Sequence, residues 1–275
     1  MYTFEMLYKD SMRIKGAEVF TIGYSVKKRP IIGFHTGSKK GKQIIICAAM
    51  HAREHITSFL TVKLISHCVK NKFGGGIYFI PMVNPDGVSL CRYGVNTVKC
   101  EKEQKRLIEL NGGSEDFSLW KANIRGVDLN VNFDANYGSG VSNVNVAGSE
   151  NYIGEHVFSE PETQAVAQFT LKVNPAAVIS YHCKGEVIYW RFYQEDNLQR
   201  DFRLAKLLSD ITGYELVDES GSAGGYKDWC IQKLKVPSFT IEVGSDEFCH
   251  PFPYSQIGGI FQKNKDVPVK LHNNL

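Results

Sequence analysis

The sequence predicts an α/β fold, in which a mixed, largely parallel and twisted β-sheet carries helices on both faces. Short apolar runs rich in β-branched residues alternate with segments whose apolar residues recur every three or four positions. The clearest run, QIIICAAM (43–50), is continuously apolar, as in strands buried on both faces of a sheet. Strands that alternate with helices form sheets of this kind. We find no internal repeat or low-complexity linker and expect a single domain over residues 1–275.

The first predicted elements are two strands within residues 19–37, joined by a basic turn. After QIIICAAM the spacing of the apolar residues changes. From Ile56 they recur every three or four positions, so a helix is expected as far as the glycines at 74–76. IYFIPMV (77–83) is the next strand, and we expect NPDG (84–87) to be only a β-turn.

The second half of the chain continues the alternation. Ser159 and Glu162 have the spacing of a capping box, with a proline in the first turn, so a helix is expected to begin there. AAVIS (176–180) is an apolar strand that stops at His182. These signals predict another helix followed by another strand of the same sheet.

The last clear elements are a helix over 198–211 and the strand SFTIEV (238–243). The strand alternates strictly between apolar and polar residues, which places Glu242 on its polar face. In such folds ligands collect at the carboxyl ends of the strands. Polar residues at these ends are therefore candidates for the functional site.

Composition excludes several functional classes. Of the 275 residues 43% are hydrophobic, and the net charge of +3 is too small to indicate a nucleic-acid partner. The N-terminus lacks a signal-peptide core, and no apolar run approaches the ~20 residues of a membrane helix. The seven cysteines contain no CxxC pair, so we expect reduced thiols. We expect a cytoplasmic protein without nucleic-acid or membrane partners, and the sequence carries no signal for its oligomeric state.

The stretch MHAREHITS (50–58) fits two kinds of zinc site. In the first, His51 and His55 lie one helical turn apart and bind zinc, while Glu54 is the general base. In the second, His51 and Glu54 bind zinc from a loop and His182 adds a third ligand from a distant strand end, which leaves a position for water. The second is favoured, because a buried strand ends just before His51 and the helical period begins only after His55.

Six motifs resemble, in this order, those of the zinc carboxypeptidase (M14) family. They are His51-x-x-Glu54, NPDG (84–87), RGVDLNVNF (125–133), SEPET (159–163), SYH (180–182) and PSFTIEVG (237–244). The ordered set spans most of the chain from about residue 19. A narrower likeness, to the γ-D-glutamyl-meso-diaminopimelate peptidases of bacterial cell-wall metabolism, rests on WKANIRGVDLN (120–130), YHCKGEVIYW (181–190) and GSAGGYKDW (221–229).

By position, the resemblance implies that His51, Glu54 and His182 bind one zinc ion per chain. It also implies that Glu242 is the general base that activates water. Partial burial at the end of its strand is expected to raise the pKa of Glu242 towards neutrality, while zinc lowers the pKa of bound water to ~7. The two pKa values would then suit proton transfer.

The resemblance also implies groups that contact the substrate. Lys121 lies where other branches of the family have the arginine that stabilises the oxyanion, and Arg125, four residues away, is the alternative cation. Arg53 matches a substrate-binding arginine. Asn130 matches an asparagine that contacts a substrate carboxylate.

Two positions depart from the family pattern. Val131 stands where an arginine clamps the terminal carboxylate of carboxypeptidase substrates, which argues against ordinary C-terminal recognition. Tyr226 is the nearest counterpart of the tyrosine that folds over the substrate, although strict spacing leads to Ser220. Glu186 and Arg191 are candidates for binding the charged ends of a diamino acid.

The resemblance implies a zinc metallopeptidase that hydrolyses the γ-D-glutamyl bond to meso-diaminopimelate, or a similar diamino acid, in small peptidoglycan peptides. Two alternatives stay open. One is a carboxypeptidase acting on ordinary L-peptides, and the other is a catalytically silent relative that binds muropeptides as a sensor.

Overall fold

A computed structural model describes residues 1–218 and 221–275. Its strands are β1 (Glu18–Tyr24), β2 (Pro30–Gly37), β3 (Gln43–Ala48), β4 (Gly76–Ile80), β5 (Ala177–His182), β6 (Val187–Tyr189), β7 (Glu215–Val217) and β8 (Ser238–Glu242). Its helices are α1 (Phe4–Ser11), α2 (Ile56–Cys68), α3 (Pro85–Tyr93), α4 (Glu101–Leu110), α5 (Pro161–Val173), α6 (Leu198–Thr212), α7 (Tyr226–Leu234), α8 (Ile257–Asn264) and α9 (Val267–Asn273).

The described strands form one sheet in the order β1-β2-β4-β3-β5-β8-β6-β7. The central strands β4, β3, β5 and β8 run parallel, as do β6 and β7. Antiparallel pairs join β1 to β2, β2 to β4 and β6 to β8. This mixed, largely parallel sheet confirms the predicted fold class.

Helices cover both faces of the sheet, which explains why β3 is apolar throughout. Every residue of β3 is buried. Ile44 and Ile46 pack in a cluster that includes residues of α2, α6, α8 and α9. Ile45 and Cys47 point to the opposite face, where α5 and α7 pack. Within the described chain, every helix falls short of the length and hydrophobicity that a bilayer-spanning segment requires.

The NPDG motif begins helix α3, so the prediction of an isolated turn was wrong. Asn84 is the N-cap, and its Oδ1 accepts a hydrogen bond from Gly87 N at 3.0 Å, with Pro85 in the first turn. Asn84 Nδ2 also donates to Met50 O at 3.2 Å and to Ala122 O at 3.0 Å. One side chain therefore ties the turn after β3 to a second loop.

Helix α5 begins where the sequence predicts, but the expected capping box does not form. Glu160 occupies the N-cap position without a side-chain cap. Ser159 Oγ instead donates to Glu160 Oε1 at 2.9 Å and accepts from Asn132 Nδ2 at 3.1 Å. Glu162 Oε1 accepts from Val26 N at 3.0 Å. The motif thus anchors neighbouring loops to the helix rather than capping it.

Candidate metal centre

The three predicted metal ligands converge at the carboxyl ends of two neighbouring parallel strands. His51 and Glu54 lie in the turn that leaves β3, and His182 is the last residue of β5. Glu54 Oε1 is 2.8 Å from His51 Nδ1, and Glu54 Oε2 is 3.0 Å from His182 Nδ1. The two Nδ1 atoms are 3.1 Å apart. All three residues are buried, so their donor atoms face one another away from solvent.

Further contacts orient each imidazole ring. His51 Nε2 lies 3.1 Å from Asp128 Oδ1, and His182 Nε2 lies 3.0 Å from Ser180 Oγ. Hydrogen bonds of this kind to the outer nitrogen fix the tautomer and direction of a metal-binding histidine. Both rings therefore present Nδ1 to Glu54.

Electrostatic interactions keep the two carboxylates ionised. Burial acts to raise the pKa of Glu54, but His51 and His182 hold it well below its ordinary value. Burial also opposes ionisation of Asp128. Lys121, with Nζ 2.7 Å from Asp128 Oδ2, nevertheless holds the Asp128 pKa well below its usual range. The centre thus keeps an anionic oxygen between two imidazole nitrogens.

This donor set fits a zinc ion. Catalytic zinc sites use three protein ligands, two histidines and one glutamate among the common sets, and leave a fourth position open. Nitrogen atoms about 2.0–2.1 Å from a shared tetrahedral ion are about 3.4 Å apart. That separation is close to the 3.1 Å between the two Nδ1 atoms. His51, Glu54 and His182 offer ligand atoms that all lie within 4.8 Å of one another.

His55 is not part of this group. The backbone of His51 is extended (φ −90°, ψ 133°), so His51 and His55 do not share a helical face. His55 Nδ1 is 3.1 Å from the hydroxyl of Tyr254, and the two rings stack with centroids 5.5 Å apart. Burial lowers the pKa of His55 to about 3, which keeps the ring neutral. The geometry therefore corresponds to the second of the two zinc sites.

Glu242 ends β8 and pairs with His182 of β5 in the parallel register. Burial raises the pKa of Glu242 to about 8, an effect that Glu54 reinforces and that His182 and Lys121 oppose. The side chain lines a cavity of about 210 Å³, here called the base cavity, with Asn130, Tyr189, Lys227 and Thr240. A carboxyl group with this pKa beside the proposed metal ligands is suited to general-base chemistry.

Only one of the two candidate cations, Lys121, faces the metal ligands. It lines a second cavity of about 180 Å³, here called the lysine cavity, with His51, Asn130, Asn143 and Asn151. Arg125 is 51% exposed, and its Nη1 lies 3.5 Å from Glu160 Oε2, beside the start of α5. The structure therefore does not bring Arg125 to the site, because its exposed side chain extends towards Glu160.

Arg53 and Asn130 lie at the edges of the centre. Arg53 Nη1 donates to Leu119 O at 3.2 Å and to Glu150 Oε2 at 3.1 Å. Asn130 lines both cavities, and its Oδ1 accepts a hydrogen bond from Tyr226 N at 3.1 Å. Asn130 is thus held between the base cavity and the lysine cavity.

Two other predicted substrate-binding residues lie outside the base and lysine cavities. Glu186 Oε1 is 2.6 Å from Nζ of Lys263 in α8, so this carboxylate is paired away from the base cavity. Arg191 lines a neighbouring cavity of about 260 Å³, where its Nη1 is 3.6 Å from Asp218 Oδ2. Of the two, only Arg191 borders a space next to the site.

The side chain of Tyr226 does not face the base cavity or the lysine cavity. It is fully buried in the core at the start of α7, and its hydroxyl lies 2.7 Å from Thr170 Oγ1. The apolar packing of α7 against the sheet fixes this direction. Ser220, the position reached by strict spacing, lies outside the described residues.

The prediction from sequence missed Lys227 and Asp228, which line the base cavity. Lys227 Nζ is 2.6 Å from Asp228 Oδ1, and their side chains are 7% and 3% exposed. Lys227 Nζ also donates to Arg191 O at 3.0 Å and lies 5.4 Å from the ring centre of Phe192. Adjacent Lys and Asp residues usually mark a solvated surface, because such side chains are rarely buried unless paired. Only the fold reveals this pair.

Comparisons with known proteins identify the family of this chain. The family model described as zinc carboxypeptidase (M14) matches residues 11–266. The γ-D-glutamyl-L-diamino acid endopeptidase 1 of Lysinibacillus sphaericus is 34% identical over 284 residues, covering 95% of this chain and 70% of its own length. Murein peptide amidase A of Escherichia coli (strain K12) is 27% identical over 260 residues, covering 89% of this chain and 90% of its own.

A solved structure shows the same fold. Bovine thrombin-activatable fibrinolysis inhibitor, in complex with tick carboxypeptidase inhibitor, superposes with a TM-score of 0.80 at 21% identity. The match covers 99% of this chain and 96% of that one. Together with the family match, these findings confirm the resemblance seen in the sequence motifs. This chain is a metallopeptidase and belongs to the zinc carboxypeptidase (M14) family.

Proposed function

We propose that this protein uses zinc to hydrolyse the bond between a γ-D-glutamyl group and meso-diaminopimelate, or a similar diamino acid, in peptidoglycan peptides. The observation that carries the proposal is the convergence of the three donor side chains with Glu242 at one edge of the sheet. The relatives from Lysinibacillus sphaericus and Escherichia coli, whose names describe γ-D-glutamyl-diamino acid and murein peptide substrates, support the substrate class.

His51, Glu54 and His182 are the proposed ligands. Zinc held there would supply a Lewis acid and would lower the pKa of the attacking water to about 7. Glu242 accepts the proton of the attacking water and donates it to the nitrogen of the leaving diamino acid. Lys121 places positive charge near the substrate oxygen on which negative charge develops.

The Lys227–Asp228 pair supports a diamino acid as the leaving group. Its two opposite charges are buried in the wall of the base cavity, next to Glu242. The far end of a diaminopimelate side chain carries one ammonium and one carboxylate group. Lys227 is therefore complementary to the carboxylate and Asp228 to the ammonium.

An ordinary L-peptide carboxypeptidase is the less favoured function. Val131 is apolar and only 8% exposed at the position where the family places the carboxylate-binding arginine. A catalytically silent muropeptide sensor has no need of a carboxyl group like Glu242, whose pKa is raised to about 8 by burial.

Mass spectrometry of products from L-Ala-γ-D-Glu-meso-diaminopimelate, incubated with the zinc-loaded protein, tests the proposal. We expect free diaminopimelate and L-Ala-D-Glu, and no products from Glu242→Gln protein with the same zinc content. An uncut tripeptide, at one zinc per chain, would contradict the substrate. A peptide with an ordinary C-terminal L-amino acid, assayed in parallel, detects carboxypeptidase activity, and tight zinc binding without turnover of either peptide indicates the sensor.

A further inference from the structure

We infer that Asn143, together with Lys121, binds a substrate carboxylate adjacent to the bond that is cut, an inference that rests on the proposed function. Asn143 belongs to the loop over residues 138–147 and lines the lysine cavity with His51. Its Nδ2 is buried and has no hydrogen-bond partner among the described residues. Buried amide donors in native proteins are nearly always paired, so this donor beside a cavity is available to a ligand that fills the cavity.

The donors of the cavity that remain unengaged suit an anionic ligand, beside the Asp128 carboxylate that also lines the cavity and already pairs with Lys121. Lys121 Nζ is 2.7 Å from Asp128 Oδ2 and 3.1 Å from Asn151 Oδ1. An ammonium group has three donors, so one N–H of Lys121 is left for a ligand. The amide nitrogen of Asn143 is also only a donor. A carboxylate, which offers two acceptor oxygens and a negative charge, satisfies both groups.

The position of the cavity indicates which carboxylates can reach it. The lysine cavity shares His51 with the metal centre and Asn130 with the base cavity. A substrate whose scissile amide lies at the metal centre therefore passes beside Asn143. The γ-D-glutamyl–diamino acid bond has one carboxylate on each side: the α-carboxylate of D-glutamate and that of the diamino acid. Val131 lines the same cavity and, being apolar, provides no charge that could bind either carboxylate.

The amide nitrogen of Asn143 makes no hydrogen bond that holds its loop. The backbone hydrogen bond from Asn143 N to Gly140 O, at 3.0 Å, does not involve the amide group. Removing an unpaired donor leaves no partner unsatisfied. We therefore expect Asn143→Ala to fold with the wild-type melting temperature, which separates a binding role from a structural one.

The test measures steady-state kinetics of zinc-loaded protein on L-Ala-γ-D-Glu-meso-diaminopimelate and on two carboxamide analogues. One analogue carries D-isoglutamine, and the other has the diamino acid carboxyl next to the scissile amide converted to an amide. We expect Asn143→Ala to lower kcat/KM on the parent peptide about 10-fold, chiefly through KM, since the lost hydrogen bond is to a charged group. Asn143→Asp should lower it further, because it places two carboxylates together. Asn145→Ala, an exposed asparagine in the same loop, is the matched control.

The analogues identify the carboxylate. On the analogue that lacks the recognised carboxylate, wild-type kcat/KM should fall at least to the value of Asn143→Ala on the parent peptide, because Lys121 loses its charged partner, and the ratio between the two proteins should shrink, because the hydrogen bond from Asn143 is then to a neutral group. Equal activity of Asn143→Ala and wild type on the parent peptide overturns the inference. So does an equal loss on all three peptides combined with a lower melting temperature, which indicates a structural role. If wild-type protein leaves the parent peptide uncut, the proposed function itself fails and the inference fails with it.

Discussion

At the residue scale, the metal centre depends on which ring nitrogen each histidine presents. Asp128 and Ser180 hold the Nε2 atoms of His51 and His182, so both Nδ1 atoms face Glu54. Because the Nε2 atoms are already hydrogen-bonded, the two imidazole rings need little reorientation to bind an ion through Nδ1. Residue type alone does not distinguish these histidines from others in the chain.

The contrast between His182 and His55 gives the first prediction. His182→Ala should weaken zinc binding by at least about 100-fold, since losing a ligand costs no less than losing a supporting hydrogen bond. His55→Ala should keep one zinc per chain, because His55 faces Tyr254 instead of Glu54. Metal analysis after dialysis against a weak chelator measures both. The opposite pattern would favour the site built from His51 and His55.

Lys227 provides the second residue-scale prediction. Lys227→Met should lower kcat/KM on the diaminopimelate tripeptide about 10–100-fold, the value of a charge-assisted hydrogen bond. The loss should be smaller when L-lysine replaces diaminopimelate, because lysine lacks the far carboxylate. The double variant that adds Asp228→Asn avoids leaving a buried charge unpaired.

Lys233→Met is the matched control, since Lys233 lies on the same helix and pairs with Asp134 at 3.0 Å near the surface. It should leave both activities unchanged. An equal loss on the diaminopimelate and lysine peptides after Lys227→Met would show that Lys227 does not recognise the far carboxylate.

At the scale of elements, short connections after parallel strands determine the position of the proposed metal ligands. The turn after β3 carries His51 and Glu54, and its Ala52 N donates to Lys121 O at 3.0 Å. Asn84, at the start of α3, donates to Met50 O just before this turn. The ligand-bearing turn is thereby connected to two other loops.

Asn84→Ala should therefore destabilise the protein by about 2–3 kcal/mol. The lost N-cap contributes about 1 kcal/mol, and the carbonyls of Met50 and Ala122 each lose a hydrogen bond worth about 1 kcal/mol. Asn197→Ala is the control, because Asn197 is the N-cap of α6 but makes no side-chain capping hydrogen bond. For this control, urea denaturation should show a change in the free energy of unfolding below about 0.5 kcal/mol. Similar losses for both variants would contradict the role of Asn84.

At the scale of the whole molecule, Glu242 links the free energy of unfolding to pH in the metal-free protein. Burial raises the folded pKa of Glu242 from 4.5 to about 8. Between these values the folded state holds a proton that the unfolded state has lost, so the free energy of unfolding falls as pH rises. Above pH 8 the contribution is constant. The proposed general base therefore lowers the stability of the metal-free protein at neutral pH.

Glu242→Gln should remove this cost. In the presence of EDTA, the free energy of unfolding of Glu242→Gln relative to wild type should be near zero close to pH 4.5 and should increase up to about pH 8. Denaturant unfolding at pH 5 and pH 8 measures the difference. Glu247→Gln, at an exposed glutamate, should differ from wild type equally at both pH values. A difference for Glu242→Gln that does not change with pH would contradict the prediction.

The fold follows closely from hydrophobic periodicity. Strands β3, β5 and β8 and helices α2 and α6 are recognisable because their apolar residues repeat with the period of each element. Strands β6 and β7, three residues each, are too short to establish a period, and helix α7 lies in a Gly-rich segment without a helical apolar pattern. These elements form only because the sheet supplies their partners.

Sequence alone was sufficient for the α/β class, for the strands that carry the site and for the choice of candidate ligands. Motif order and strand ends select His51, Glu54, His182 and Glu242, because polar residues that end buried strands meet at one edge of a parallel sheet. The direction of side chains elsewhere was decided by tertiary packing. The side chain of Lys121 points into the site and that of Arg125 points away from it, although only four residues separate them. A loop has no repeating backbone geometry from which the direction of one side chain predicts that of another.

The same reason applies at the start of α7. Tyr226 points into the core and contacts Thr170, while its neighbour Lys227 is buried against Asp228 beside the base cavity. Likewise, Asn143 gains its place in the lysine cavity from a loop that the sequence does not position. The proposed substrate recognition therefore depends on side chains whose surroundings come from distant parts of the chain, and such surroundings exist only after folding.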